Sequence, residues 1–141
     1  MTLFLLAQMA DTVVAISTDQ VDSVIDIGAI VPVPNVAPAV QGLAALRSRV
    51  VTVVSARMAL DPRAGPAPPG RAVVTVIDGH HYAILVQSLE DVADAEMAPL
   101  PPGFTQSEAW NSVARGVVDH DGEPRLAIEL GALVSRLAPG A

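Results

Sequence analysis

The chain has 141 residues, a formal net charge of −7 and no cysteine. These values exclude disulfides, thiol catalysis and thiolate metal sites. They also argue against a nucleic-acid or anionic-membrane partner, because neutralising phosphates needs a basic footprint. The length suits one domain, or two small subdomains sharing a core, and lets roughly two-thirds of the unfolded surface be buried. Hydrophobic residues make up 51% of the chain and aromatics only 3%, so Val, Ala, Leu and Ile must build the core, and the β-branched share favours strands. All eight basic residues are arginine, which reflects genome composition rather than function.

The opening MTLFLLAQMADT has no basic n-region and no long apolar stretch, so it reads as a first strand and not as a signal peptide. No apolar run approaches the ~20 residues of a membrane span, and a cytoplasmic protein without direct membrane insertion is expected. Leu3–Met9 fits a buried strand, Ala10-Asp11 a turn, and Thr12–Ser17 the returning hairpin partner. Thr18 or Asp19 can cap one turn of helix. Across Val21–Ile27 the alternation puts Val21, Ser23, Ile25 and Ile27 on one face and Asp22, Val24 and Asp26 on the other, towards solvent. Val31–Pro38 carries three prolines and reads as a stiff, extended connection.

Gly42–Leu60 is the central unit. A glycine opens a short apolar strand that runs to Arg47 and Arg49 with Ser48 between them. Val50–Val54 returns as a second strand, and ARMAL closes the unit as a helical turn. Asp61–Arg71, with four prolines and two glycines, is an exposed connection and the expected seam between two halves. Ala72–Asp78 and His81–Gln87 form a hairpin around Gly79-His80. Ser88–Met97 starts as a strand and becomes acidic, which reads as a solvated face. After a proline-rich turn at Pro99–Gly103, Thr105 or Ser107 starts a short helix through Trp110, a residue equally suited to an interface or to the core. Asn111–Asp119 and Glu123–Leu130 pair across Asp121-Gly122. Glu129–Leu137 has helical spacing, and Ala138–Ala141 frays. About ten strands with little helix make an all-β domain the expected class, with closure into small barrels to protect the edges.

With the strands placed, the chain resembles the CheW-like family of chemotaxis adaptors. The strand-turn-strand LFLLAQMADTVVAIS, the proline-bearing crossover IVPVPNVAPAV and the unit Gly42-Leu43-Ala44-Ala45-Leu46-Arg47-Ser48 followed by Val50–Ala56 occur in the family's order. Val74–Ile77 with His81–Val86, and Arg115–Val118 with Leu126–Leu130, match its later strands. The chain departs from the pattern at Ala45 for asparagine, Ser48 for glycine, Thr52-Val53 for Pro-Val, and Ser23 for the glutamate of a V-x-E element that Val21 begins.

The resemblance implies a single domain over residues 1–141, made of two intertwined, five-stranded SH3-like barrels with a shared core and short helices, one of them C-terminal. It implies an adaptor that is not an enzyme, has no cofactor and no metal, and bridges a chemoreceptor cytoplasmic tip to the regulatory domain of a CheA-type histidine kinase. Arg47, Val21, Ser23, Gly42 and Ser48 are the partner-binding candidates. Arg47 also has a physical case, since a planar guanidinium at a strand end can bond polar groups bidentately; the alternative is a solvated charge that keeps an edge soluble. Gly42 supplies either a special backbone geometry or an ordinary turn.

Ser23 in place of glutamate opens a second reading, a divergent member that competes with or inhibits the main adaptor or serves a non-motility pathway. A third is a small β-barrel enzyme or ligand-binding protein using His81 with Asp78, or His120 with Asp119. Adjacent strand residues face opposite ways, which disfavours His80 and His81 as joint metal ligands. Asp119–Glu123 lacks the spacing of a calcium loop, and no serine sits in a nucleophile elbow.

Overall fold

A computed structural model of the chain describes residues 2–34, 38–61, 63–65, 67–105 and 107–137. Its strands are β1 (Thr2–Met9), β2 (Thr12–Ser17), β3 (Ser23–Asp26), β4 (Val40–Leu46), β5 (Arg49–Ser55), β6 (Arg71–Ile77), β7 (His80–Leu85), β8 (Ser88–Ala95), β9 (Ala114–His120) and β10 (Glu123–Ile128). The helices are short: α1 (Ala56–Leu60), α2 (Glu108–Val113) and the C-terminal α3 (Leu130–Ser135), besides a 3-10 turn at Thr18–Gln20. The all-β expectation holds.

Two five-stranded mixed sheets result, ordered β8-β1-β2-β10-β9 and β3-β6-β7-β5-β4. Each contains two antiparallel hairpins joined by one parallel pair, β2 with β10 in the first sheet and β5 with β7 in the second. Each also carries an antiparallel edge strand contributed by a more distant stretch, β8 on β1 and β3 on β6. The chain thus builds one hairpin of the first sheet, then the whole second sheet, then returns to complete the first.

The long Val-rich runs are explained by strands buried on both faces. In β1, Leu5, Ala7 and Met9 face a core shared by the sheets, while Phe4 and Leu6 fill the inside of their own sheet. In the second sheet Val54, Val73 and Ile84 join the shared core, and Val51, Val53, Ala72, Val74, Ala83 and Leu85 fill its own interior. This is the period-two alternation of a pleated strand with apolar groups on both sides. Helix α3 packs Leu130 and Leu133 into the shared core, as its spacing implies.

Several boundaries move. The hairpin turn is Asp78-Gly79, with φ of 52° and 80°, and not Gly79-His80. Asp-Gly tolerates the paired positive φ of a type I′ turn, which a histidine does not. The same signs occur at Ala10-Asp11 and Asp121-Gly122. Residues 111–113 belong to α2, because Ser107 accepts a hydrogen bond from the Trp110 amide and starts the helix late. Strand β10 ends at Ile128, so Glu129 and Leu130 lie outside it. Neither Thr18 nor Asp19 caps the 3-10 turn; Ser17 stands at that position, and its hydroxyl accepts from Gln20 Nε2 at 2.8 Å.

Gly42 does not open β4, which begins at Val40. It lies at a register shift opposite β5, with φ of 147°. A Cβ there would collide with the carbonyl oxygen of Val31, whose backbone pairs with Leu43 on the open side of β4. The special geometry expected of Gly42 is therefore real. The proline-rich segment is not a seam between the sheets, since β3, β4 and β5 before it and β6 and β7 after it share one sheet. The fraying expected at Ala138–Ala141 lies outside the described residues, as does part of Val31–Pro38.

Candidate functional site

The hairpin β4–β5 turns through Arg47 and Ser48 between the paired residues Leu46 and Arg49. Arg47 has φ of 58°, whereas Ser48 is not among the positive-φ residues. Of the two turn residues only Arg47 lies in the left-handed region, where glycine is preferred. A serine at the second position, where the family pattern has glycine, accounts for this: serine is costlier than glycine in the left-handed region that a type I′ turn would require.

The two arginines are placed differently. Arg49 donates through Nη1 to His81 Nε2 at 2.6 Å, which holds its guanidinium over the neighbouring strand β7. Arg47 is exposed and forms no ion pair with another described residue. Its fork of donors is available to a partner.

Strands β3 and β4 are the two ends of the second sheet's order, yet its curl brings them to one groove. Asp22, Ser23, Val24 and Ile25 line one side, and Leu46, Arg47, Ser48 and Arg49 line the other, around a volume of about 380 Å³. Of the predicted residues, Ser23 thus shares a groove with Arg47 and Ser48, although more than twenty positions separate it from them in the sequence. Val21 borders an adjoining groove with Thr75, Val76 and Ile77. Gly42 is buried beneath Val31 and shapes β4 rather than lining the groove. Asp22 was expected to look to solvent, and it does so from the wall of the groove, where the Ser23 hydroxyl donates to its carboxylate at 3.4 Å. Its one sequence signal was adjacency to the position where the family pattern has a carboxylate.

The groove offers two guanidiniums, one carboxylate, two hydroxyls and the apolar sides of Val24, Ile25 and Leu46. That mixture suits a polar peptide or helix surface: the alkyl groups give contact area, and the charges set register.

The histidine pairs considered for an enzyme are not formed. His81 meets Arg49 rather than Asp78, and His80 stacks loosely beside Tyr82 with ring centroids 6.5 Å apart. His120 Nε2 lies 2.9 Å from Asp91 and 3.5 Å from Asp121, not against Asp119. Ligand atoms of Asp91, His120 and Asp121 fall within 4.8 Å of one another. His120 Nε2 already bonds the Asp91 carboxylate, while its Nδ1 is buried without a hydrogen-bond partner among the described residues. Trp110 is half-buried against the shared core and also borders an outer groove with Leu60 and Arg136. Among the described residues, no helix is long and apolar enough to cross a membrane.

Comparison with known proteins agrees with this architecture. The family model described as CheW-like domain matches residues 3–138. The crystal structure of the scaffolding protein TtCheW from Thermoanaerobacter tengcongensis is similar at a TM-score of 0.76, with 18% identity, over 94% of this chain and 91% of that one. At that identity the likeness establishes the shared fold. No curated protein matches the chain by sequence.

Proposed function

Because the chain belongs to the CheW-like family, we propose that it acts as a non-enzymatic, cytoplasmic adaptor in chemotaxis-type signal transduction, coupling a chemoreceptor cytoplasmic tip to the regulatory domain of a CheA-type histidine kinase. The observation that carries this is the groove that unites Ser23 with Arg47 and Ser48, the positions at which the family pattern makes receptor-facing contacts. Arg47 supplies an unpaired guanidinium able to bond polar or carbonyl groups of a receptor helix. Asp22 supplies, one residue early, the negative charge that the serine at position 23 lacks. The whole domain serves as a rigid holder for this patch.

The test is binding of the purified protein to a receptor cytoplasmic tip and to a kinase regulatory domain, with Arg47→Ala in parallel. Binding to both, with the variant impaired only towards the receptor, supports the adaptor. Binding to neither refutes it.

A second reading is favoured by Ser23, whose hydroxyl is turned to Asp22: a divergent member that binds the kinase and competes with or inhibits a main adaptor, or serves a non-motility pathway. Kinase binding without receptor binding would favour it. Normal signalling-array assembly with this protein as sole adaptor would exclude it.

A further inference from the structure

The two sheets follow one plan. In their strand orders β1–β2 corresponds to β6–β7, β9–β10 to β4–β5, and β8 to β3. The hairpin turns fix the offsets: Met9 pairs with Thr12 as Ile77 does with His80, and His120 with Glu123 as Leu46 does with Arg49. Other contacts then repeat in register. The parallel pair of Leu126 with Val14 recurs as Thr52 with Tyr82, and the bridge of Ala98 to Val117 as Val31 to Leu43. Gly116 lies against the Ala98 carbonyl as Gly42 lies against that of Val31.

This correspondence makes Ser23 the counterpart of Asp91, since Ser23 pairs with Val74 and Asp91 with Leu6, themselves counterparts. It makes Leu46 the counterpart of His120, and Arg47 that of Asp121. In the first sheet Asp91 meets His120 Nε2 at 2.9 Å, and Asp121 reaches the same nitrogen at 3.5 Å from the turn. The turn side chain and the Asp91 carboxylate thus converge, with ligand atoms within 4.8 Å of one another. In the second sheet the cation stands at the turn, as Arg47, and the place of the carboxylate is taken by a serine hydroxyl. Among the described residues Arg47 forms no ion pair, with Asp22 or any other acid. The groove therefore keeps an uncompensated guanidinium where its counterpart holds a closed pair.

We propose that this groove is a site for an acidic side chain: a partner's Asp or Glu carboxylate takes, between Arg47 and Ser23, the place that Asp91 takes in the first sheet. The planar guanidinium offers it parallel donors, the Ser23 hydroxyl offers another, and Val24 and Leu46 give apolar contact to its stem. Arg49, held by His81, adds positive charge to the same wall. The groove selects a partner surface with a carboxylate among apolar side chains and rejects one that presents a basic group there. The inference rests on the adaptor reading, with the receptor tip as the partner that carries the carboxylate.

The test supplies the carboxylate first from within. In Ser23→Glu, followed by nuclear magnetic resonance, the introduced carboxylate should titrate about one pH unit below an ordinary glutamate, and Ser23→Glu/Arg47→Gln should restore the ordinary value. Towards a purified receptor tip, Ser23→Glu should bind about tenfold more weakly than Ser23→Gln, which has the same size without the charge. Changing the tip's acidic residues to amides one at a time should find one whose loss weakens the native chain about tenfold but not Arg47→Gln. An unshifted titration, equal binding by Ser23→Glu and Ser23→Gln, or no acid coupled to Arg47 would overturn the proposal and leave the adaptor reading standing. Failure of the native chain to bind the tip would overturn both.

Discussion

His120 donates through Nε2 to the Asp91 carboxylate at 2.9 Å, and this contact ties β9 to β8, the two outermost strands of the first sheet. A backbone bridge between Ala98 and Val117 lies along the same line of closure. The second sheet has the matching backbone bridge, Val31 with Leu43, but among the described residues no side-chain bond joins β3 to β4, which face each other across the groove that holds Arg47. Both sheets close through a backbone bridge, and the first adds the His120–Asp91 hydrogen bond where the second leaves a groove in which a partner is proposed to bind.

The clasp makes stability depend on pH in the acid range. The hydrogen bond from His120, and after it the Val92 amide, hold the Asp91 carboxyl below the ordinary value of 3.8. A depressed folded-state pKa gives stability that is present above the unfolded value and lost as pH falls through the folded one. Urea unfolding of the native chain should therefore weaken from about pH 4 downward, and Asp91→Asn should lack this component. The two proteins should differ more at neutral pH than in strong acid, and added salt should narrow the difference, because Asp91 is exposed. Parallel acid profiles would show that the clasp does not contribute.

Gln20 ties the sheets together. Its Oε1 accepts from the Leu130 amide at 2.7 Å and its Nε2 donates to Ser17 Oγ and the Ile128 carbonyl, while its own carbonyl accepts from buried Thr75 of β6 at 2.8 Å. Gln20→Ala leaves the first amide of α3 without its partner, at a cost of about 2 kcal/mol. Gln20→Glu, which keeps an acceptor but loses the donor, should cost less than the alanine. Chemical denaturation of the three proteins decides this.

Gly42→Ala should be among the most disruptive single changes in β4. The positive φ and the collision with the Val31 carbonyl act together, so a loss of about 3 kcal/mol is expected. The bridge of Val31 to Leu43 should open, seen as faster hydrogen exchange of both amides. Unchanged exchange at Leu43 would refute the packing account.

Arg47 sets stability against binding. With a φ of 58° it occupies a conformation that glycine adopts without strain, so Arg47→Gly should stabilise the fold by about 1 kcal/mol. On the proposed function, the same change should weaken receptor binding. Raised melting temperature with retained receptor binding would separate the turn from the site and count against Arg47 as the contact.

Much of the strand order was legible beforehand because burial on two faces leaves long Val-rich runs, and because Asp-Gly and proline clusters punctuate them. Boundaries failed where a neighbour outside the local window decided. The helix α2 ran on to Val113, burying it in the shared core. The hairpin at Asp78 was displaced by one residue because turn chemistry, not apolar alternation, selects the register. Of the site, Arg47 and Ser48 stood out by their place at a strand end. Asp22 did not, since an acid on the solvent side of a short strand looks like any other.

From local pattern alone, the chain determined its class, its turns, its lack of thiol chemistry and the alternating apolar faces of its strands, all consequences of dihedral preference and side-chain period. The tertiary structure decided which strands share a sheet, for the proline-rich segment joins strands of one sheet while β2 and β10, more than a hundred residues apart, pair side by side. It also decided that Ser23 faces Arg47, that His120 meets Asp91, and that Gln41 grips Ala67. Those pairings depend on how each sheet curls around its own interior and onto the shared core, a collective packing outcome that no window along the chain contains.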